Sequence, residues 1–411
     1  NGTQTGFGRT GTVDWDTTPK TANFDAVSGD GFFCNTTSGA FTATLPSGAA
    51  GAIVSFADYA GTWQTNSLTV SPQSGEKIGG TSASVELNTE GQSVTFVYVD
   101  STQGWINVQD STSNERGNAF IVATGGTITT CGNDKIHTFT GPGTFCVSKL
   151  ACCSANNQVS YIVVAGGGSG GAGPNGGGGG GGGGFREDKS PVTPYTSSPL
   201  EGAGPITVTA TGFPITVGGG GAVQPQPNPS RGKSGSNSVF STITSAGGGN
   251  GGAGPNNDGI NGGSGGGGGS AGSENGSGGT GNTPPVSPAQ GRDGGDGKGT
   301  TGENSINAGG GGAVNSGANG QNPGTPTANG GDGGNGAPTS ISGSSTTYAG
   351  GGGGGTQFGS NSQPAPSGGS GGGGAGGMCT PATVGVAGTT NTGGGGGGAG
   401  GTPGATYGAA A

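Results

Sequence analysis

The sequence predicts a mostly β protein with no significant α-helix: an N-terminal β-sandwich or jelly-roll-like domain, a small second β unit, and a C-terminal bundle of polyglycine-II helices. Three observations lead there. Through the first third, short runs of Val, Ile, Phe, Tyr and Thr alternate with Gly, Pro, Asp and Asn turns at roughly ten-residue spacing, as in a sandwich. Glycine occupies 21 of the first 164 positions and 89 of the remaining 247. The apolar run Tyr161-Ile162-Val163-Val164 feeds straight into Ala165-Gly166-Gly167-Gly168, so the chain changes its way of folding there.

Residues 1–11, with Gly2, Gly6, Gly8 and Gly11, read as a loose arm. No methionine or signal peptide precedes Asn1, so any processing segment is expected to have gone or to lie upstream. The β domain spans 12–110, with strands expected at 22–27, 31–35, 41–45, 52–57, 67–70, 84–87, 93–99 and 105–108. In 93–99, Val94, Phe96 and Tyr98 share one face while Val97 and Val99 share the other. Apolar groups on both faces mark a central strand or a subunit contact. Nothing here has the period of an amphipathic helix.

Residues 111–118 are polar and read as a linker. A second β unit, 119–164, carries expected strands at 120–123, 127–130, 135–139, 144–147 and 159–165. It is too small for a large core, which draws attention to Cys131, Cys146, Cys152 and Cys153 within it. These four are candidates for disulfide staples if the protein is extracellular, or for buried thiols. None of the six cysteines has the C-x-x-C spacing of a zinc or redox site. The single histidine, His137, sits in an apparent strand without a ligand pattern and reads as structural or exposed.

The glycine-rich domain covers 165–411. Nine consecutive glycines at 176–184 break the strict triplet that collagen requires. Composition alone also suits disorder, but three features favour order. Residues 165–175 match 246–256 at ten of eleven positions, the glycine runs are separated by defined spacers, and 206–210 and 213–217 are strand-like. Polyglycine-II helices have three residues per turn and a rise of ~3.1 Å per residue. Without Cβ atoms they pack backbone to backbone through N–H···O bonds and weak Cα–H···O contacts. Glycine's entropy cost opposes this, so many segments must cooperate.

Charged residues are only 8% of the chain and the net charge is −9, so no basic stripe exists to track phosphates and nucleic acid is not an expected partner. No apolar run approaches the roughly 20 residues that span a bilayer, so membrane insertion is not expected either. No phosphate-loop motif G-x-x-x-x-G-K-[ST] occurs. Asp14-Trp15-Asp16 and Arg292-Asp293-Gly294-Gly295-Asp296-Gly297-Lys298 are the best carboxylate clusters. The second lacks the ligand order and closing glutamate of a calcium loop, and reads as a charged turn. No metal, cofactor or catalytic residue is assigned. The glycine-rich domain has seven aromatic residues and no histidine, so acid–base pairs are scarce and the protein is expected not to be an enzyme.

Two stretches resemble known families. Residues 11–110 resemble the β domain common in virion fibre proteins of marine tailed phages. The matching pieces are Val13-Asp14-Trp15, Lys20-Thr21-Ala22, the 31–39 run from Gly31-Phe32-Phe33-Cys34, Asp58-Tyr59-Ala60-Gly61-Thr62-Trp63 and the 87–94 run from Leu87-Asn88-Thr89-Glu90. Residues 120–184 resemble the glycine-rich module of phage tail and fibre proteins through His137-Thr138-Phe139-Thr140, Gly143-Thr144-Phe145 and Tyr161–Gly168. The cysteines are not part of that pattern. The glycine bundle is similar in style to the polyglycine-II tip adhesins of T4-like phages, whose inter-helix loops bind a bacterial surface receptor.

The resemblance implies a virion or extracellular fibre or fibre-tip protein, trimeric, attached to other virion proteins. Its implied ligand is a host surface polysaccharide or outer-membrane protein. A polyglycine scaffold has almost no side chains, so recognition is expected in the spacers. The best equipped are 185–216, with Arg186, Glu187, Asp188 and Tyr195, and the late ones carrying Tyr348 and Phe358. The rival readings are a purely structural virion decoration or extracellular filament subunit, a depolymerase spike and, more remotely, an ice-binding protein. The depolymerase would need a cleft with paired carboxylates and aromatic platforms.

Overall fold

The computed structural model describes residues 13–111, 120–151, 153–223, 231–254, 256–299, 305–321, 329–357, 364–379, 383–401 and 409–411. The expected arm 1–11 lies outside them, as does the expected linker 111–118 apart from Ser111. The chain divides into two units, Asn1–Gly117 and Asn118–Ala411.

The first unit has nine strands: β1 (Asp14–Lys20), β2 (Phe24–Asp25), β3 (Asp30–Cys34), β4 (Phe41–Thr44), β5 (Ile53–Asp58), β6 (Leu68–Ser71), β7 (Val85–Leu87), β8 (Ser93–Asp100) and β9 (Gly104–Ser111). They form two sheets, β1-β3-β5-β8-β9 and β2-β4-β6-β7. Up to β6 the chain changes sheet at every strand, so neighbours within each sheet run parallel. The last strands close both sheets antiparallel. This sandwich is therefore wound more like a coil than a jelly roll. Alternation places Phe32, Cys34, Val54, Phe56, Val94 and Phe96 of one sheet against Phe41, Ala43, Leu68 and Val70 of the other, with Trp63 and Trp105 fully buried.

One buried carboxylate organises two of the sequence stretches singled out above. Asp58 accepts backbone N–H bonds from Gly61 (2.9 Å) and Thr62 (3.2 Å) through one oxygen and from Gly91 (3.0 Å) through the other. The 58–63 and 87–94 runs thus meet at one side chain.

In the second unit a sheet is built from β10 (Val122–Thr124), β13 (Gly143–Lys149), β18 (Gly212–Thr216), β19 (Ser238–Phe240) and β20 (Ile243–Ser245). Two-stranded pairs join β11 (Thr127–Cys131) to β12 (Asp134–Thr138), β14 (Gln158–Val159) to β17 (Ile206–Thr207), and β15 (Tyr161–Val164) to β16 (Phe185–Asp188). Two further hairpins are β21 (Ser270–Ala271) with β22 (Glu274–Asn275) and β23 (Ala337–Thr339) with β24 (Thr346–Tyr348). The strands of 119–164 do not close on themselves, because β13 pairs with β18 from beyond residue 165.

Cys131, Cys146 and Cys153 are free and exposed, which corrects the staple expectation for them, while Cys152 lies outside the described residues.

The four apolar residues of β15 serve two cores. Tyr161 and Val163 join Phe145, Val147, Ile206 and Phe240. Ile162 and Val164, on the opposite face, pack with Phe185, Leu200, Ala313, Ala337 and Tyr348. Beyond β15 the backbone enters the bundle, descends through 165–171, turns, and returns through 177–184 to β16.

Residues 177–184 are the axis of the bundle. Gly177, Gly180 and Gly183 donate to Ala399, Gly396 and Gly393; Gly178, Gly181 and Gly184 donate to Gly252, Gly249 and Ala246; Gly179 and Gly182 donate to Ala308 and Gly311, all at 2.8–3.1 Å. The carbonyls of the same run accept from Gly171, Gly168 and Ala165, from Gly267 and Ser264, and from Gly355 and Gly352. Partners change with each residue and return every third, as three residues per turn dictate. Six surrounding segments result: 165–171, 246–252, 264–268, 308–312, 350–355 and 393–399.

These six are laid down in chain order around the axis. The last closes on the first through Gly396 N–H to Gly168 O and Ala399 N–H to Gly171 O. Glycine is required because the backbones touch: a Cβ on Gly180 would enter the carbonyl of Gly168.

Candidate functional site

Helices of the bundle run alternately up and down, so their connections gather at two ends. The base end holds β15 and β16, the spacer 185–216, residues 282–290 and the β23–β24 hairpin. The far end holds the turns after 171 and 252 and the β21–β22 hairpin. The described residues flanking 224–230, 300–304, 322–328, 358–363, 380–382 and 402–408 also lie at the far end.

The expected receptor-binding residues of 185–216 are at the base, and three of them are inside the protein. Arg186, Glu187 and Asp188 form β16 and are 7%, 0% and 7% exposed. This corrects the expectation that these three side chains stand in a recognition spacer at the surface. Their alternation of charge hid a strand that pairs residue by residue with β15, Tyr161 opposite Asp188 and Val164 opposite Phe185.

Each buried charge has a structural task. Glu187 accepts from Ser198 N–H (2.8 Å) and from the Thr339 hydroxyl (2.7 Å), tying the spacer to the β23–β24 hairpin. Asp188 accepts from Gly204 N–H (3.0 Å), and burial pushes its carboxyl above the usual carboxylate range. Arg186 donates to the carbonyls of Ala203 (3.1 Å) and Ser287 (3.4 Å). Tyr195 is half-buried under Lys189, whose ammonium lies 5.4 Å from its ring centre. Burial and the nearby Glu187 carboxylate raise its phenol strongly. Tyr348 packs beside Phe185 in the joint between strands and bundle. Phe358 lies outside the described residues.

The other singled-out groups are also structural. His137 bonds through Nδ1 to the Gly125 carbonyl (2.8 Å) and meets Phe145 edge-on. Asp293 and Asp296, read above as a charged turn, lie on an extended outer helix. They accept N–H bonds from Gly281 (2.7 Å) and Gly278 (2.8 Å) of the neighbouring helix. The same device recurs at Asp258 and Asn261 towards Ser277 and Thr280, and at Asp332 and Asn335 towards Ser367 and Ser370. Each pair is three residues apart, so one turn of helix places both on the same side. Among the described residues no group of three or more His, Cys, Asp or Glu side chains could hold a metal ion.

The far end is braced by amides. Asn307, fully buried, donates to the carbonyls of Gly355 (2.8 Å) and Asn175 (3.2 Å) and accepts from Ser270 N–H (3.0 Å). Gln357 links Asn175 to Ser305. Around this fixed frame Asn256, Ser273, Glu274, Lys298 and Gln321 are exposed. They are polar groups of both charges on a rigid rim, suited to hydrogen-bonded recognition. Sequence reasoning missed this end because its signal is topological: it follows only from which glycine runs descend.

A family model described as "Glycine-rich domain" (Gly_rich_2) matches residues 140–411. The chain belongs to this glycine-rich domain family. No curated protein matches the chain.

Proposed function

We propose that the protein is a virion fibre or fibre-tip protein that attaches to a host-cell surface receptor through the far end of its glycine bundle. The glycine-rich bundle is compatible with a structural, fibre-like protein; what supports attachment is the gathering of connections at the far end, where exposed side chains of both charges surround a hydrogen-bonded frame. A backbone-only scaffold tolerates changes in those connections without loss of its hydrogen-bond lattice. The receptor is a polysaccharide or outer-membrane protein, the location is the virion or the extracellular space, and the protein performs no catalysis. Copies associate as a trimer alongside other virion proteins. The outward Val97 and Val99 of β8 suit such a contact, Val99 being 48% exposed.

The test is binding of the full chain to a panel of bacterial cells. Changing Ser273, Glu274 and Lys298 together to Ala should abolish binding while thermal unfolding stays the same. Binding that survives those changes, or is absent from every strain, leaves the alternative of a purely structural decoration or extracellular filament subunit.

A further inference from the structure

Three stretches of the outer helices share one pattern. Asp258-Gly259-Ile260-Asn261-Gly262, Asp293-Gly294-Gly295-Asp296-Gly297 and Asp332-Gly333-Gly334-Asn335-Gly336 all read Asp-Gly-x-Asx-Gly. In each, both acid or amide side chains accept a backbone N–H of the neighbouring helix, at 2.6–3.0 Å.

Residues 276–281 show the arrangement in full. Gly276 and Gly279 donate inward, to the carbonyls of Gly269 and Gly266. Ser277 and Thr280 donate to Asp258 and Asn261 on one flank, Gly278 and Gly281 to Asp296 and Asp293 on the other. All six N–H groups are used, and four of the six acceptors are side chains.

Glycine helices packed through backbone alone have no unique level. Sliding one past its neighbours by three residues, about 9 Å at ~3.1 Å per residue, brings like groups opposite like groups again. A single side-chain acceptor does not end that equivalence, because after the slide it meets the next N–H on the same side. Two acceptors one turn apart do end it. Glu274 and Thr283, one turn beyond Ser277 and Thr280, are already held by Ala271 and by the Gly262 carbonyl. Only one level therefore satisfies both acceptors of a pair.

We propose that the Asp-Gly-x-Asx-Gly repeat is a register lock, a conformational device that fixes the level of each outer helix and so the height at which its connections stand. The role parallels that of a single asparagine that sets the register of a coiled coil. Asp and Asn serve alike because only the Oδ1 acceptor is used. The lock does not depend on what the far end binds, so it stands or falls apart from the attachment reading.

The test removes one acceptor per flank, Asn261→Ala with Asp293→Ala, and leaves Asp258 and Asp296. These two can then accept from Ser277 and Gly278 or, one turn along, from Thr280 and Gly281. In amide NMR of the full chain, with serine and threonine labelled by nitrogen-15, Ser277 and Thr280 should each give one signal in the unchanged chain and two in the double variant. Asn261→Asp with Asp293→Asn keeps every acceptor and should return single signals. Asn335→Ala, which leaves Asp332 to accept from Ser367 or Ser370, repeats the test at the third copy and decides it should the double variant not fold. Single signals in the acceptor-deleted variants, with only a lower unfolding midpoint, overturn the proposal, because the side chains would then stabilise without selecting a level. Two signals in the acceptor-keeping variant overturn it equally.

Discussion

Gln290 places its side-chain carbonyl 2.8 Å from the amide nitrogen of Ala246, while its own backbone carbonyl accepts from Phe185 at 2.8 Å. One residue, 1% exposed, thus finishes two bundle segments at the base, and its Nε2 is held by the Pro284 carbonyl (2.8 Å). Replacing Gln290 with Ala leaves the Ala246 N–H buried without an acceptor. A loss of about 1–3 kcal/mol is expected, read as a lower unfolding midpoint of the second unit. An unchanged midpoint would mean that water replaces the amide at no cost.

Gly180→Ala should be worse than its size suggests. The new methyl meets the Gly168 carbonyl, which is fixed by the ring around it. Overpacking costs of about 1–3 kcal/mol are typical where side chains can shift; here only backbone could yield. At Gly141, where a Cβ meets nothing within 4 Å, the same change should cost less than about 1 kcal/mol. Equal effects at the two sites would show that the bundle interior is not close-packed.

Much of this was legible beforehand. The change of folding mode at Val164, the β-rich first unit and the extended glycine helices all follow from composition and alternation. β1 did not, because Asp14-Trp15-Asp16-Thr17-Thr18-Pro19-Lys20 is polar and holds a proline; such a strand belongs at a sheet edge, where packing decides more than propensity. Nor did the burial of Glu187, since a carboxylate enters the interior only when partners such as Ser198 and Thr339 arrive from distant parts of the chain. The far end was invisible for a related reason: no local pattern says which way a glycine run travels.

The cysteines separate by environment. Burial, with the Asp58 carboxylate nearby, pushes the Cys34 thiol up to about 12. A thiol reagent at pH 8 should label Cys131, Cys146 and Cys153 in the folded chain and leave Cys34 unmodified until the first unit unfolds. Early labelling of Cys34 would contradict the sealed core drawn around Phe32 and Phe56.

Asp188 sets a pH dependence whose sign is defined. Its carboxyl is raised in the folded chain, chiefly by burial. The contribution is therefore full at low pH and lost as pH rises through the folded value. Asp188→Asn keeps an acceptor for Gly204 N–H and removes the buried charge, so the variant should be more stable at neutral pH and flatter against pH. A variant less stable at pH 7 would place a favourable partner beside the ionised carboxylate.

The central claim is that residues 177–184 form the axis of an ordered lattice, and amide hydrogen exchange across that run tests it most directly. The account predicts that these eight glycines exchange only through global unfolding of the second unit, more slowly than any glycine on the outer helices. Exchange at the rate of an unstructured peptide would contradict it.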